Sequence, residues 1–257
     1  MHGNILIRKI LNHKENIKEN ISKINKHNRD FIYGLKKGIP IALGYLPVSF
    51  TFGLIAVKGG MPAWIAILMS LTNLTSAGQF AGADLIMANA SLLEISVTTF
   101  VINIRYMLMS LSLSQDIDEN MPVSKRSIMA FGITDEIFSV ASMEERDITF
   151  SYMMGLISCP YWAWALGTAL GALTCSVLPA SLQDSMGIAL YAMFIALVVP
   201  EARKSRAVLA VSVIAIVINS LLTWLPMMNV ISEGWAIIIS TIAACTLGSI
   251  LFPREVN

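Results

Sequence analysis

Charged residues are scarce in this chain. Asp, Glu, Lys and Arg make up 14% of its 257 residues, whereas a soluble domain carries about 25%. Hydrophobic residues make up 55%, and nine of the 18 basic residues lie in residues 1–38. The remainder holds apolar runs of about 20 residues, long enough to cross a bilayer core as helices. The composition predicts an all-α polytopic membrane protein rather than a β-barrel, whose strands would alternate over about ten residues.

Residues for common catalytic and metal chemistry are also missing from the apolar part. The three histidines all precede the first apolar run: His2, His13 and His27. Cys159 and Cys175 lie on one predicted helix, about 24 Å apart and therefore too far for a disulfide. No zinc-protease, serine-hydrolase, P-loop or Cys-x-x-Cys motif occurs. We therefore expect no enzymatic activity, no cofactor, no metal and no nucleic-acid partner.

The apolar runs predict about eight transmembrane helices, with seven as the alternative, and the sixth run is short enough to be tilted or partial. The predicted spans cover residues 39–57, 63–88, 92–114, 126–143, 150–177, 186–199, 207–225 and 235–251. Residues 31–257 are expected to form a single transmembrane helical domain. Residues 1–30 form a polar segment whose partial helical spacing suits either an interfacial amphipathic helix or a frayed cytoplasmic tail.

Basic residues predict the orientation in the membrane. Lys and Arg cluster near the N-terminus and in residues 203–206, while the 178–185 and 226–233 loops have none. The positive-inside rule therefore places both termini in the cytoplasm and these two loops outside. With eight spans, Lys125 and Arg126 fall outside, which conflicts with that rule. A re-entrant second span would change the count.

A polar patch interrupts the second apolar run. From Leu71 the sequence reads LTNLTSAGQFAGA, with hydroxyl and amide side chains and two glycines. We predict that the helix is broken near residues 75–78, leaving N–H groups and a positive dipole end for a solute carboxylate. Gly78 and Gly82 would let a ligand approach the backbone, although this spacing also suits close helix packing.

Three charged residues lie inside apolar runs, where each costs roughly 2.5–3.5 kcal/mol on insertion scales. Arg105 and Asp135 lie at matched distances from the ends of spans 3 and 4, about 13 Å from one membrane face. We predict that Arg105 pairs with Asp135 or Glu136, and that the other carboxyl faces a cavity and carries a proton. A purely structural ion pair is the alternative. Asp84 and Glu94, at the ends of spans 2 and 3, are interpreted as solvated charges.

Uncharged positions extend this candidate site. Pro47 frees a carbonyl inside span 1, which suits either a packing kink or a cavity. Asn73 and Gln79 could bridge helices or bind a solute. We predict that Gly78, Gln79 and the charged trio face one cavity.

Four runs in fixed order resemble the AzlC family. They are GLKKGIPIALGYLPVSFTFGLIA at 34–56, SLTNLTSAGQFAG at 70–82, NIRYMLMSLSLS at 103–114 and FGITDEIF at 131–138. Together they cover most of the first 140 residues. AzlC proteins are the larger subunits of two-component branched-chain amino acid exporters, related to azaleucine resistance.

The resemblance implies a multi-pass exporter in the cytoplasmic membrane of a prokaryote. It implies Leu, Ile and Val as substrates, with Met a further candidate, driven by protons or another coupling ion. It also implies a small AzlD-type partner of about four spans. The family signatures fall on Tyr45–Pro47, Gly78–Phe80, Asn103–Arg105 and Thr134–Glu136. Tyr106 follows the arginine where many members have His or another residue, so a His proton relay is not available there.

The candidate site combines these motifs with the polar patch. The candidate substrate-binding or coupling residues are Tyr45, Pro47, Asn73, Gly78, Gln79, Gly82, Asn103, Arg105, Asp135 and Glu136. A passive channel or a non-transporting membrane scaffold is the alternative function, and it differs from a transporter in lacking saturable, gradient-dependent flux.

Overall fold

The chain is helical, and its described part contains no β-strand. The computed structural model describes residues 2–118, 121–146, 148–175, 179, 195, 198–200, 202–224 and 231–252, with side chains from residue 24 onward. The helices are α1 (His2–Lys58), α2 (Ala63–Thr72), α3 (Ala77–Met87), α4 (Leu92–Leu113), α5 (Val123–Phe131), α6 (Asp135–Ser142), α7 (Phe150–Thr174), α8 (Arg206–Trp224) and α9 (Glu233–Leu251).

Five of the described helices are long and apolar enough to cross a membrane. They are α4, α7, α8, nearly all of α9, and α1 from residue 24. This confirms the all-α polytopic membrane class. The predicted sixth span at 186–199 lies mostly outside the described residues, so the total number of spans stays a prediction.

The chain divides into two compact units. Unit 1 contains residues 1–43 and 109–162, and unit 2 contains residues 44–108 and 163–257. Helices α1, α4 and α7 each contribute one part to unit 1 and another to unit 2. The expectation of one transmembrane domain over 31–257 stays a prediction.

In unit 2, α3 runs parallel to the end of α1. The rings of Phe52 and Phe80 meet edge to face with centroids 5.1 Å apart. Further along both helices, the thioether of Met87 fills the space where a Cβ on Gly59 would lie. Because residue numbers rise together along this contact, α3 ends beside the C-terminal end of α1.

The preceding helix, α2, runs the other way, so α2 and α3 form a re-entrant hairpin. Met61 N donates to Ala56 O at 2.9 Å, which keeps the start of α2 beside the end of α1. Across the hairpin, Gln79 Nε2 donates to Ser70 Oγ at 2.6 Å. The second predicted span is therefore broken, as the sequence indicates, and it returns to the end from which it entered.

The local sequence explains the break between α2 and α3. Asn73 is extended, with φ −145°, and its Oδ1 accepts from Thr75 N at 2.9 Å and from Thr75 Oγ1 at 2.6 Å. Such side-chain bonds to the following backbone compete with helix formation. Ser76 then adopts φ 47°, and this left-handed residue turns the chain into α3.

In unit 1, α5 and α6 form a second helical hairpin. Lys125 lies over the ring of Phe150 at 5.3 Å, and the rings of Phe131 and Tyr161 lie 6.2 Å apart. Helix α5 therefore runs parallel to α7. Just after α6, Glu144 accepts from the Tyr33 hydroxyl at 3.4 Å. The rings of Tyr33 and Tyr152 are 5.8 Å apart, so the chain has returned to the start of α7.

The prediction of one continuous span over 126–143 is therefore wrong. The helix stops at Gly132, where the side chain of Ile157 leaves no room for a Cβ. It restarts after Thr134, whose hydroxyl caps α6 by accepting from Ile137 N at 3.3 Å.

The predicted separation of Lys125 from the N-terminal segment is also wrong. One cavity in unit 1 is lined by both Lys26 and Lys125, so these two lysines lie at the same end of that unit. The physical reason is that α2 and α3 do not cross the membrane, which removes one crossing between the two lysines. With Lys125 on the N-terminal side, the conflict with the positive-inside rule disappears.

The re-entrant topology of α2 and α3 predicts a labelling pattern. In a cysteine-free background, Lys58→Cys and Ala88→Cys should react with an impermeant maleimide from the same membrane face. Ser114→Cys, at the far end of α4, serves as the control and should react from the other face. Labelling of positions 58 and 88 from opposite faces would show that this segment crosses.

Candidate functional site

The centre of the candidate site is the start of α3 in unit 2. Helix α3 begins at Ala77, and Ser76 before it makes no side-chain capping hydrogen bond. The first N–H groups of a helix lack intrahelical acceptors and carry a partial positive charge. An uncapped helix start inside an apolar tract therefore suits an anionic group of a solute.

Asn103 of α4 lies directly against this helix start. Its side-chain amide occupies the space where a Cβ on Gly78 would lie. Its Oδ1 is buried and has no hydrogen-bond partner among the described residues. An amide can present either an acceptor or two donors by rotating its plane. Gly82, one turn further along α3, faces Thr99, whose Cγ2 would lie 3.3 Å from an added Cβ.

Arg105 and Tyr106 link α4 to the break itself. The Tyr106 hydroxyl donates to Thr75 O at 3.0 Å, and Arg105 Nη2 donates to the Tyr106 hydroxyl at 3.2 Å. The Thr75 carbonyl thus accepts two hydrogen bonds at the helix break, one from this hydroxyl and one from Gly78 N at 3.3 Å. Sequence reasoning missed this role, because it considered Tyr106 only as a residue replacing His. The sequence did contain one indication of this role, since Tyr106 places a hydroxyl directly after the arginine of the Asn103–Arg105 signature.

Gln79 is part of a fully buried hydrogen-bond chain. Besides its bond to Ser70, Gln79 Oε1 accepts from Trp164 Nε1 at 2.9 Å. Ser70 and Thr168 share a hydrogen bond of 2.7 Å, and Thr168 donates to Ser49 O at 3.2 Å. Of the two alternatives for Gln79, the structure shows helix bridging. A direct role in solute binding stays a prediction.

The signature at residues 45–47 lies on α1, also in unit 2. Tyr45 is buried and meets Trp164 edge to face at 5.4 Å. Pro47 is exposed, and α1 stays helical through it. Its carbonyl accepts from the Thr51 hydroxyl at 2.9 Å. Tyr45 thus supports the tryptophan that holds Gln79.

The interpretation of Glu94 as a solvated charge is wrong. Glu94 is 6% exposed, and its Oε1 accepts from the Ser232 hydroxyl and from Gly234 N. The carboxylate therefore caps the N-terminal end of α9, where the helix dipole favours a negative charge. Thr98, one turn along α4, is fully buried, and its Oγ1 has no partner among the described residues.

Asp135 and Glu136 belong to unit 1 and form the first turn of α6. Both side chains are partly buried. Carboxylates are favoured at this position by the helix dipole. Arg105 belongs to unit 2, and its pairing with either carboxylate stays a prediction. So does the shared cavity with Gly78 and Gln79.

The described residues offer no obvious metal centre. No group of three or more His, Cys, Asp or Glu side chains that could hold a metal ion occurs among them.

The buried hydrogen-bond chain predicts a stability effect. Gln79→Leu should lower the free energy of unfolding by about 1–3 kcal/mol, because it leaves the Trp164 N–H buried without an acceptor. Thr72→Ala is the control, since that exposed hydroxyl bonds only to its own helix, and it should cost under about 0.5 kcal/mol. Denaturant unfolding in detergent measures both.

A double variant separates the hydrogen bond from packing. Adding Trp164→Phe to Gln79→Leu should cost less than adding it to the wild type, because the donor then has no acceptor to lose. Equal costs in both backgrounds would contradict the hydrogen-bond account.

Comparison with known proteins places these features in a family. The family model described as AzlC protein matches residues 40–178. "Inner membrane protein YgaZ" of Escherichia coli is 29% identical over 185 residues, covering 69% of this chain and 75% of that protein. An "Uncharacterized membrane protein" of Archaeoglobus fulgidus is 33% identical over 184 residues, covering 71% and 80%.

A third relative, an "Uncharacterized membrane protein" of Helicobacter pylori, is 29% identical over 190 residues, covering 68% of this chain and 79% of that protein. No solved structure matches this chain. The family match spans the uncapped start of α3, Asn103, Arg105 and the first turn of α6. This chain therefore belongs to the AzlC family of membrane proteins.

Proposed function

We propose that this chain is the larger subunit of a secondary transporter that exports branched-chain amino acids across the cytoplasmic membrane. The observation that carries the proposal is the uncapped start of α3, opened inside an apolar tract beside the buried, unpaired Oδ1 of Asn103. A transporter needs such a break, because a solute can bind only to polar groups that the helix itself does not use.

The start of α3 is the proposed site for the substrate carboxylate. Helix N–H groups and the adjacent Asn103 amide supply donors, and the guanidinium of Arg105 supplies positive charge through its contact with Tyr106. Charge-assisted hydrogen bonds of this kind are about twice as strong as neutral ones. Leu74 lies in the break, Phe80 lies near the start of α3, and both are buried. They provide apolar surface of the type that a branched side chain requires.

Asp135 and Glu136 are the proposed proton-coupling groups. They are acidic residues in the part of unit 1 that interrupts an otherwise apolar run, and carboxyls within membrane segments commonly serve as proton carriers. Their position at a helix start gives each carboxylate favourable dipole interactions when ionised. Neutralisation by a proton removes this stabilisation, so that protonation can bias the local structure.

A small AzlD-type membrane subunit is the proposed partner. In the most apolar stretch of α8 no residue is buried, and in that of α4 only 11% of the residues are buried. Such faces must contact lipid or another membrane protein, because exposing so large an apolar area to water is unfavourable. The proposal assigns part of this area to the second subunit, with lipid covering the remainder.

Reconstitution tests the proposed activity. Proteoliposomes that contain this chain and its four-span partner should show saturable counterflow of labelled valine or leucine, faster than empty vesicles. Asn103→Ala and Arg105→Gln should each raise KM about tenfold, the effect of losing one charge-assisted hydrogen bond. Counterflow no faster than in empty vesicles would overturn the substrate assignment. Flux without saturation would favour a channel.

The coupling role has its own control. Asp135→Asn and Glu136→Gln should abolish accumulation driven by a proton gradient while retaining counterflow, which needs no net proton movement. Glu145→Gln removes an exposed carboxylate just after α6 and should leave both activities unchanged. Full gradient-driven transport by both site variants would remove the coupling role.

A further inference from the structure

A charged cavity of about 360 Å³ opens at one end of unit 1. It lies between α1 at residues 26–33 and the turn that joins α6 to α7. Three basic side chains and two carboxylates line it: Lys26, Arg29 and Arg146, with Asp30 and Glu144. The lining therefore carries one net positive charge.

Both carboxylates of the cavity already accept hydrogen bonds from the protein. Asp30 Oδ2 accepts from the Thr149 hydroxyl at 3.1 Å, and Glu144 accepts from the Tyr33 hydroxyl. The guanidinium of Arg146 stacks over the Tyr33 ring at 4.7 Å. A stacked guanidinium keeps its N–H edge available for an anion.

The position of the cavity along α1 identifies the membrane interface. The exposed apolar side chains of Phe31 and Ile32 follow Asp30 directly, and the exposed charges of Lys36 and Lys37 are the last ones before the apolar run of α1. An anion in this cavity would therefore lie beside apolar surface that acyl chains can cover. Basic pockets at such a level bind lipid headgroups in other membrane proteins.

We propose that this cavity binds a phosphate group, and that the group belongs to an anionic membrane phospholipid. Arg29 and Arg146 approach the phosphate from α1 and from the α6–α7 turn, and Lys26 adds a third cation. Arginine binds phosphate oxygens in a bidentate manner. The bound lipid would join α1 to the α5–α6 hairpin. This proposal does not depend on the transported substrate.

Lipid titration of the purified full chain in an uncharged detergent tests this site. Phosphatidylglycerol should bind saturably, as measured by native mass spectrometry. The double variant Arg29→Gln with Arg146→Gln should bind it at least fivefold more weakly, since each basic residue near a lipid surface contributes about fivefold. Lys36→Gln, an exposed charge on the same helix outside the cavity lining, should bind like the wild type.

Two further arms distinguish the source of the phosphate and exclude misfolding. Arg29→Lys with Arg146→Lys retains the charges but not the bidentate geometry, so it should bind more tightly than the glutamine double variant and more weakly than the wild type. Soluble glycerol phosphate should bind far more weakly than phosphatidylglycerol. Equal binding of the two would overturn the lipid assignment and identify a soluble phosphate ligand. Unchanged phosphatidylglycerol affinity in the glutamine double variant would overturn the site itself.

Discussion

Polar backbone groups inside a membrane must find partners within the protein, because the hydrocarbon core supplies none. Neighbouring side chains meet this requirement for part of the break between α2 and α3. Asn73 bonds to Thr75, and Tyr106 bonds to the Thr75 carbonyl. Behind the break, Gln79 joins both arms of the hairpin to α7 through Trp164. This buried network allows the chain to turn back inside the apolar tract.

The network also separates support from binding. Gln79 is wholly buried and its amide is occupied, so it positions the hairpin. Asn103 lies on the other side of Gly78 and keeps an unpaired oxygen. Inside a protein, an unpaired polar atom is costly unless something binds it. An amide can turn its N–H edge toward an anion, so the amide of Asn103, rather than the occupied amide of Gln79, is assigned to the substrate carboxylate beside the start of α3.

Much of the architecture can be predicted from hydropathy. The bounds of α4, α7, α8 and α9 lie within three residues of the predicted ones, because long apolar runs between polar loops leave few alternatives. The interruption within residues 71–83 is also readable from its hydroxyl, amide and glycine residues. The direction of the chain after the break cannot be read from the sequence, because it depends on the contact between Ser70 and Gln79 across the hairpin.

Other features depend on partners distant in sequence. Glu94 is buried because it caps a helix whose first residues lie 138 positions further along the chain. The second hairpin depends on Gly132 fitting against Ile157. Local sequence contains neither partner, so a helical pattern over 126–143 predicts one span where two short helices form. The matched depths predicted for Arg105 and Asp135 require an uninterrupted span 4, but the helix breaks between Phe131 and Asp135.

The proposed role of the break at residues 73–76 is to form a water-accessible site for the substrate carboxylate within the membrane. A single cysteine at Thr75, in a cysteine-free background, tests it most directly. Thr75→Cys should react with a small hydrophilic thiol reagent, and leucine should slow that reaction while an amino acid amide, which lacks the carboxylate, should not. No reaction, or a rate that leucine leaves unchanged, would contradict the account.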